Sequence, residues 1–224
     1  MIRVDLQTHT NQSAGCGWMA PETLVRRAAA VGLDGVAITD HNTMDAVAAA
    51  RRIAPDDLLV IPAEEIDTPE GQIIGLFLDH PIEPWQSPSA VFDAIHRQDG
   101  LALLPHPFDA MREHLETIGD HVDSIDAVET INSRCIRSRY NERASAFAER
   151  HGLTKTGGSD AHFARELGTA HTRIEGDASS PERLATIVRE AIADGRTHPV
   201  GSTGTPLVHV GTKAVKMYNR VRNR

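Results

Sequence analysis

Apolar, strand-like segments of this chain repeatedly end in acidic and imidazole side chains, and helical patterns follow them. The clearest cases are Thr39-Asp40-His41 and Gly158-Ser159-Asp160-Ala161-His162, and the arrangement recurs in Asp5-Leu6-Gln7-Thr8-His9 and in His106-Pro107. Folds that alternate strands and helices carry their chemistry on the loops that leave the carboxyl ends of the strands. Packing alone does not explain four such strand ends, so the pattern predicts a multi-metal site that activates water.

The order of the predicted elements indicates an α/β domain built on a parallel sheet or barrel. Strands are predicted over residues 2–6, 35–39, 58–66, 72–78, 101–104, 125–130, 154–156 and 169–174. Helices are predicted over residues 21–31, 43–53, 88–98, 133–151 and 180–195. No linker or repeat divides the chain, so we expect one domain over residues 1–212 and a basic, helical tail over residues 213–224.

Composition narrows the functional class. A chain of 224 residues with 40% hydrophobic and 24% charged residues is typical of one globular enzyme domain. No segment has the apolar length of a membrane span, and the first residues lack a signal-peptide layout. Two cysteines, Cys16 and Cys135, make no disulfide framework. We therefore expect a cytoplasmic protein without a membrane partner.

Charge is unevenly distributed along the chain. Residues 1–212 carry 31 acidic and 18 basic side chains, a formal charge of −13, whereas the five basic side chains of residues 213–224 give that segment +5. An acidic body disfavours nonspecific binding to a nucleic-acid backbone. Nucleic acid stays open as a partner because of the tail, but a small phosphorylated substrate, such as a nucleotide, is favoured.

The donor types point to divalent transition metals. Imidazole nitrogen and carboxylate oxygen are common ligands of zinc, manganese and iron. A carboxylate that bridges two such cations is typical of phosphoryl hydrolysis. Glu65 is the candidate bridge, and because side chains alternate along a strand, only one of Glu64 and Glu65 can enter the site.

Taken together, these motifs resemble those of the polymerase and histidinol phosphatase (PHP) superfamily over nearly the whole chain. The resemblance rests on the ordered set Asp5–His9, Thr39–His41, Glu65, His106-Pro107 and Asp160–His162. It implies a distorted (β/α)7, TIM-like barrel whose metal site lies at the C-terminal ends of the strands. It also implies two or three divalent metals (Mn²⁺, Zn²⁺ or Fe²⁺) and hydrolysis of phosphomonoesters, nucleoside bisphosphates or nucleic-acid phosphodiesters.

Three positions depart from the family pattern. Gln7 stands where the first motif normally has histidine, Ala14 where many relatives have an acidic residue, and Gln72 where relatives often have another histidine. A neutral amide oxygen is a weaker ligand than imidazole for a transition metal. These departures favour reduced metal occupancy or a two-metal site.

Roles follow from position and chemistry. The predicted metal ligands are His9, His41, Glu65, His106, Asp160, His162 and, as a degenerate ligand, Gln7. Glu65, His106 and Asp160 are also the predicted catalytic residues. Asp5 and Asp40 are predicted to orient imidazoles, and Asn132 and Arg134 to bind substrate. A surface position for Arg134 stays open. For Glu129, a strand-end carboxylate is favoured over an acid near the metals.

The favoured function is a metal-dependent phosphoesterase that acts through activated water. One alternative is a degenerate domain of this family that binds metal with little catalysis, which Gln7, Ala14 and Gln72 suggest. Another is a nucleic-acid-processing, exonuclease-like factor, which the basic tail suggests.

Overall fold

A computed structural model describes residues 1–13, 17–177 and 180–204 of the chain. Ala14, Cys16 and the predicted helical tail at residues 213–224 therefore lie outside the described residues. Within the described ranges, none of the helices combines the length and the apolar character that a membrane crossing requires.

The elements follow the predicted order with shifted boundaries. The strands are β1 (Ile2–Thr8), β2 (Gly35–Ile38), β3 (Leu59–Thr68), β4 (Gly71–Leu76), β5 (Leu101–Leu104), β6 (Ala127–Asn132), β7 (Thr154–Gly158), β8 (Ala170–Ile174) and β9 (Thr197–Gly201). The helices are α1 (Pro21–Ala30), α2 (Asp45–Ile53), α3 (Pro88–Arg97), α4 (Ser138–His151) and α5 (Pro181–Ala193), with short 3₁₀ segments at Ile118–Ser124 and Ala164–Glu166.

The described strands form one mixed sheet that closes almost into a barrel. Its order is β7-β6-β5-β4-β3-β2-β1-β8-β9. Beyond the end of β7, Thr8 pairs with Ala161 and the Asp160 amide donates to the Gln7 carbonyl at 2.8 Å, which brings the two sides of the barrel together. The carboxyl ends of β1, β2, β3 and β7 thus lie near one another.

The barrel is confirmed, but the expected count of seven β/α units is wrong. β4 is antiparallel to both of its neighbours, and β8 and β9 extend the sheet in antiparallel fashion beyond β1. The cause at β4 is local: only Pro69 and Glu70 separate it from β3, and a connection that short can join only antiparallel strands.

One face of β3 runs from the core to the mouth of the barrel. Leu59, Ile61 and Ala63 pack in a cluster with residues of β1, β5 and α5. The same alternation carries Glu65 and Asp67 to the carboxyl end of the strand. Hydrophobic burial of the first three side chains therefore fixes which face of β3 the two acids occupy.

Helix α4 begins at Ser138, five residues later than the predicted start at Ser133. The side-chain oxygen of Asn132 accepts hydrogen bonds from the amides of Arg134 (2.8 Å) and Cys135 (3.2 Å). Such a side-chain turn competes with the helical backbone and delays the helix. Strand β9 was not predicted, because Pro199 interrupts a short polar segment that lies at the edge of the sheet.

Candidate metal centre

Glu65 lies at the centre of a buried cluster at the mouth of the barrel. Its Oε2 atom is 3.3 Å from His9 Nε2 and 3.7 Å from His41 Nε2. Its Oε1 atom is 3.4 Å from His106 Nε2. The two oxygens of one carboxylate thus face different imidazoles, as a bridging ligand requires.

Asp160 forms the second half of the cluster. Its Oδ1 atom is 3.2 Å from His9 Nε2 and 3.5 Å from His162 Nδ1. The ring of His9 lies between those of His41 and His162, with centroid separations of 5.0 and 4.5 Å. Two sets of donor atoms therefore come within 4.8 Å of one another: His9, His41 and Glu65, and His9, Asp160 and His162.

Two of these residues have unusual backbone conformations. His106 has φ 29° and Asp160 has φ 52°, a region that L-residues with side chains seldom adopt. Such strain persists only where the surrounding structure holds it, and it concentrates at functional sites. At both positions it occurs directly beyond the end of a strand.

The protonation states suit metal binding. Burial raises the pKa of Glu65, but the neighbouring imidazoles of His41, His106 and His9 outweigh it and lower the pKa to about 2. Burial also opposes ionisation of Asp160, yet the Arg112 guanidinium and the histidines hold its pKa well below its usual value. Burial lowers the pKa of His106 and of His162. Ionised carboxylates beside neutral imidazoles are the forms that ligate metals.

Several buried polar atoms of the cluster lack hydrogen bonds, which also suits a bound metal. Among the described residues, no hydrogen bond of adequate geometry forms to either carboxylate oxygen of Glu65, to either ring nitrogen of His106 or to Oδ1 of Asp160, although imidazole nitrogens face these oxygens at 3.2–3.7 Å. Buried polar atoms without partners are costly and rare. Nitrogen and oxygen donors of this kind suit Mn²⁺, Zn²⁺ or Fe²⁺, so the residues present fit divalent cations.

Gln7 is fully buried, and its amide is engaged by protein groups. Oriented toward Glu129, its nitrogen lies 2.9 and 3.0 Å from the two carboxylate oxygens of that residue. Glu129 therefore lies beside the cluster rather than at a plain strand end. Burial first, and the Asp160 charge second, raise the pKa of Glu129 well above its usual value. A metal-ligand role for Gln7 stays a prediction.

Asn132 and Arg134, the predicted substrate-binding pair, are 0% and 2% exposed. The Asn132 amide donates to Glu129 Oε2 (2.8 Å) and to Asp160 Oδ2 (3.1 Å). Arg134 Nη1 donates to Glu166 Oε2 (2.8 Å), and this oxygen also accepts the His162 amide (3.0 Å). Both side chains thus contact residues of the cluster or their neighbours, and a substrate-binding role for either stays a prediction.

Asp5 and Asp40, predicted to orient imidazoles, accept hydrogen bonds from other groups. Asp5 receives the amides of Ser159 (2.8 Å) and Gly168 (3.0 Å). Asp40 receives the amide and the hydroxyl of Thr10 at 2.6 and 2.5 Å. The two acids thus fix the loops that carry His9 and Asp160 instead of touching a ring nitrogen.

Asp67 was missed by the sequence analysis. Its Oδ1 atom is 3.7 Å from His41 Nδ1 and accepts Gln72 Nε2 at 2.9 Å. Burial raises its pKa, but the neighbouring His41 and hydrogen bonds from Gln72 and Asn42 lower it to about 2. The signal was available, because Asp67 is the next residue after Glu65 on the same face of β3. Gln72, 3.4 Å from His41 Nδ1, also lies at the centre.

Arg112 is the second residue that was missed. Its Nη1 atom forms an ion pair with Asp160 Oδ2, and its side chain is 16% exposed. It lies in the loop that leaves β5, six positions after His106. The only signal was its place in a loop that leaves the carboxyl end of a barrel strand.

Comparison with known sequences finds two family models that match this chain. The PHP domain model matches residues 5–66, and the PHP-associated model matches residues 138–197. An uncharacterized protein of Methanocaldococcus jannaschii is 32% identical over 192 residues, which cover 82% of this chain and 76% of that protein.

Two further comparisons concern proteins with a described activity. The 5'-3' exoribonuclease Rnm of Escherichia coli is 42% identical over 87 residues, covering 35% of this chain and 29% of that enzyme. A two-domain protein of Bacteroides vulgatus, which contains a predicted PHP-like metal-dependent phosphoesterase, superposes with a TM-score of 0.73 at 19% identity. That superposition covers 89% of this chain and 64% of the other, so the chain spans less than two thirds of either protein.

Proposed function

Because this chain belongs to the PHP family, whose members include hydrolases, we propose that it is a metal-dependent phosphoesterase. It would hydrolyse a phosphomonoester or phosphodiester of a nucleotide or another small phosphorylated substrate. One observation carries the proposal: the buried Glu65 directs one oxygen at His9 and His41 and the other at His106. A carboxylate so placed can join two cations across one substrate phosphate.

The chain's own residues would have three tasks. The donors that would hold two or three cations (Mn²⁺, Zn²⁺ or Fe²⁺) are His9, His41, Glu65, His106, Asp160 and His162. Bound divalent cations lower the pKa of water and neutralise the charge of a phosphoester. Asp67 keeps the His41 ring in place, and the low pKa of Glu65 keeps this carboxylate ionised at neutral pH. Rigid donors of this kind reduce the reorganisation that the reaction needs.

Exposed aromatic side chains support a second candidate, hydrolysis of single-stranded nucleic acid. The chain has two tryptophans, Trp18 and Trp85, which are 55% and 64% exposed. The Trp18 amide donates to the His162 carbonyl at 3.1 Å, and the Trp85 amide donates to the Asp67 carbonyl at 2.7 Å. The backbones of both tryptophans are therefore held next to residues of the cluster, and unpaired bases could stack on their exposed side chains. The similarity to an exoribonuclease agrees with this candidate.

The third candidate, a degenerate domain with little catalysis, rests on Gln7 and Gln72. Both side chains lie at the centre as neutral amides where related chains are expected to offer imidazoles. Their effect is measurable as metal bound without turnover.

The test compares adjacent carboxylates on opposite faces of β3. Metal-free protein is loaded with Mn²⁺, bound metal is counted, and release of phosphate or of a mononucleotide is followed. We expect Glu65→Gln to lose bound metal and to lower turnover by orders of magnitude. Glu64→Gln is the matched control, because Glu64 accepts the Ile82 amide at 2.8 Å away from the donors.

Three outcomes separate the candidates. Mn²⁺-dependent release from small esters supports the leading proposal, and release only from RNA oligonucleotides supports the second. Wild-type protein that binds Mn²⁺ tightly but turns over neither substrate is the degenerate domain. Equal activity in Glu65→Gln and Glu64→Gln would contradict a metal-dependent mechanism at this site.

A further inference from the structure

The Asp160 carboxylate divides its two oxygens between different partners. Oδ1 faces His9 Nε2 at 3.2 Å and His162 Nδ1 at 3.5 Å. Oδ2 forms the ion pair with Arg112 and accepts the Asn132 amide at 3.1 Å. Only Oδ1 is therefore directed at the metal donors, whereas Glu65 directs both of its oxygens there.

The side of the centre beyond Asp160 Oδ2 is acidic and enclosed. Glu129 is 1% exposed and lies close enough to Asp160 for the two charges to repel, which contributes to the raised pKa of Glu129. Gln7, the neighbour that contacts both oxygens of Glu129, contributes no charge. Two buried carboxylates in one pocket require a nearby positive charge to stay ionised.

Arg112 supplies a permanent charge at this position. A guanidinium stays protonated in proteins and offers planar, directional donors to a carboxylate. Its charge also acts on His106, whose pKa it helps to lower, and on Glu129, whose ionised form it favours. The guanidinium thus lies among the same acidic and imidazole groups that a cation would contact.

We propose that Arg112 takes the place of a divalent cation on the Asp160–Glu129 side of the centre. Metal binding is then confined to the donors around Glu65 and Asp160 Oδ1, and the chain holds fewer cations than its donors would otherwise bind. This inference rests on the proposed metal centre but not on turnover, because it predicts how many cations bind.

The test counts metal in full-length variants. Wild type, Arg112→Met, Arg112→Gln and Arg112→Lys are stripped of metal and dialysed against a series of free Mn²⁺ concentrations, and bound Mn²⁺ per chain is measured. We expect one additional Mn²⁺ per chain in both neutral variants and the wild-type number in Arg112→Lys, which keeps the charge. Arg196→Met is the control, since Arg196 pairs with Asp194 at the exposed surface.

Thermal unfolding provides a second readout that needs no substrate. The neutral variants should melt below wild type in chelator and gain more in Tm from Mn²⁺ than wild type does, because the metal restores the missing charge. An unchanged number of bound Mn²⁺ ions in a folded neutral variant would overturn the proposal. If the KM of that variant were also raised, Arg112 would instead be a phosphate-binding residue. Neutral variants that fold neither with nor without Mn²⁺ would also overturn it, since the guanidinium would then not be equivalent to a metal.

Discussion

Glu64 and Glu65 are adjacent residues that the strand places in different environments. Glu65 faces three imidazoles, which hold it ionised. Glu64, on the opposite face, is fully buried and accepts a hydrogen bond from the Ile82 amide. Burial raises the pKa of Glu64 to about 7. The alternation of one strand therefore separates a candidate metal ligand from an acid that is neutral at mildly acidic pH.

The raised pKa of Glu64 predicts a pH-dependent stability difference. A glutamate in the unfolded chain titrates at about 4.3, so between about pH 4.3 and 7 the folded state keeps a proton that the unfolded state loses. The contribution of Glu64 to stability therefore falls as pH rises through this window, and its penalty is complete above about pH 7. Glu64→Gln keeps the hydrogen-bond acceptor without the charge. We expect it to be more stable than wild type by about 3 kcal/mol at pH 8, by about 1 kcal/mol at pH 5 and nearly equal to it at about pH 4. Urea unfolding of metal-free protein measures this, and a difference independent of pH would contradict it.

At the scale of the element, the packing of strand β7 requires a glycine at position 158, which has no side chain. A Cβ atom at Gly158 would lie 2.5 Å from Glu129 Oε1 and 3.0 Å from Gln7 Cβ. The glycine therefore leaves the space in which the Glu129 carboxylate sits between β1, β6 and β7. Asp160 follows two residues later, so a shift of the strand end would move a predicted metal ligand.

Gly158→Ala should accordingly lower both stability and metal affinity. Overpacking of this kind costs about 1–3 kcal/mol. Gly119→Ala is the matched control, because among the described residues no atom beyond the local backbone lies within 4 Å of the added methyl group there. Thermal melts and Mn²⁺ titrations of both variants provide the measurement. If Gly158→Ala matched Gly119→Ala in both, the close fit around Glu129 would have no role in holding the centre.

Regular elements made part of the site predictable from the sequence. The apolar residues Leu59, Ile61 and Ala63 lie on the inward face of β3, so alternation predicts Glu65, and by the same rule Asp67, on that face at the barrel mouth. No such rule could predict Arg112, because it lies in a loop without periodicity and its partner Asp160 is 48 positions away. The start of α4 was misplaced because helix propensity does not register the local side-chain turn by which Asn132 takes up the amides of Arg134 and Cys135.

Across the whole molecule, the net charge and the exposed aromatic residues indicate different kinds of substrate. The formal charge of −13 over residues 1–212 repels a phosphate backbone, which favours a small ester. Trp18 and Trp85 beside the centre favour an unpaired base. A mononucleotide satisfies both, since it carries one base and little backbone. Only the basic residues of the last twelve positions would favour a longer nucleic acid.

Salt dependence distinguishes a mononucleotide from a longer strand. We compare the wild-type chain with a variant in which the basic residues of the last twelve positions, Lys213, Lys216, Arg220, Arg222 and Arg224, are replaced by glutamine. Mononucleotide hydrolysis in Mn²⁺ should have the same kcat/KM in both chains and change little with added salt, because few counterions are released on binding. A ten-nucleotide RNA should be hydrolysed no faster than the mononucleotide, because the acidic body repels its backbone. Faster RNA cleavage that weakens steeply with salt in wild type, and less steeply in the glutamine variant, would contradict this expectation. It would make the tail part of a nucleic-acid-binding surface and the chain a nuclease.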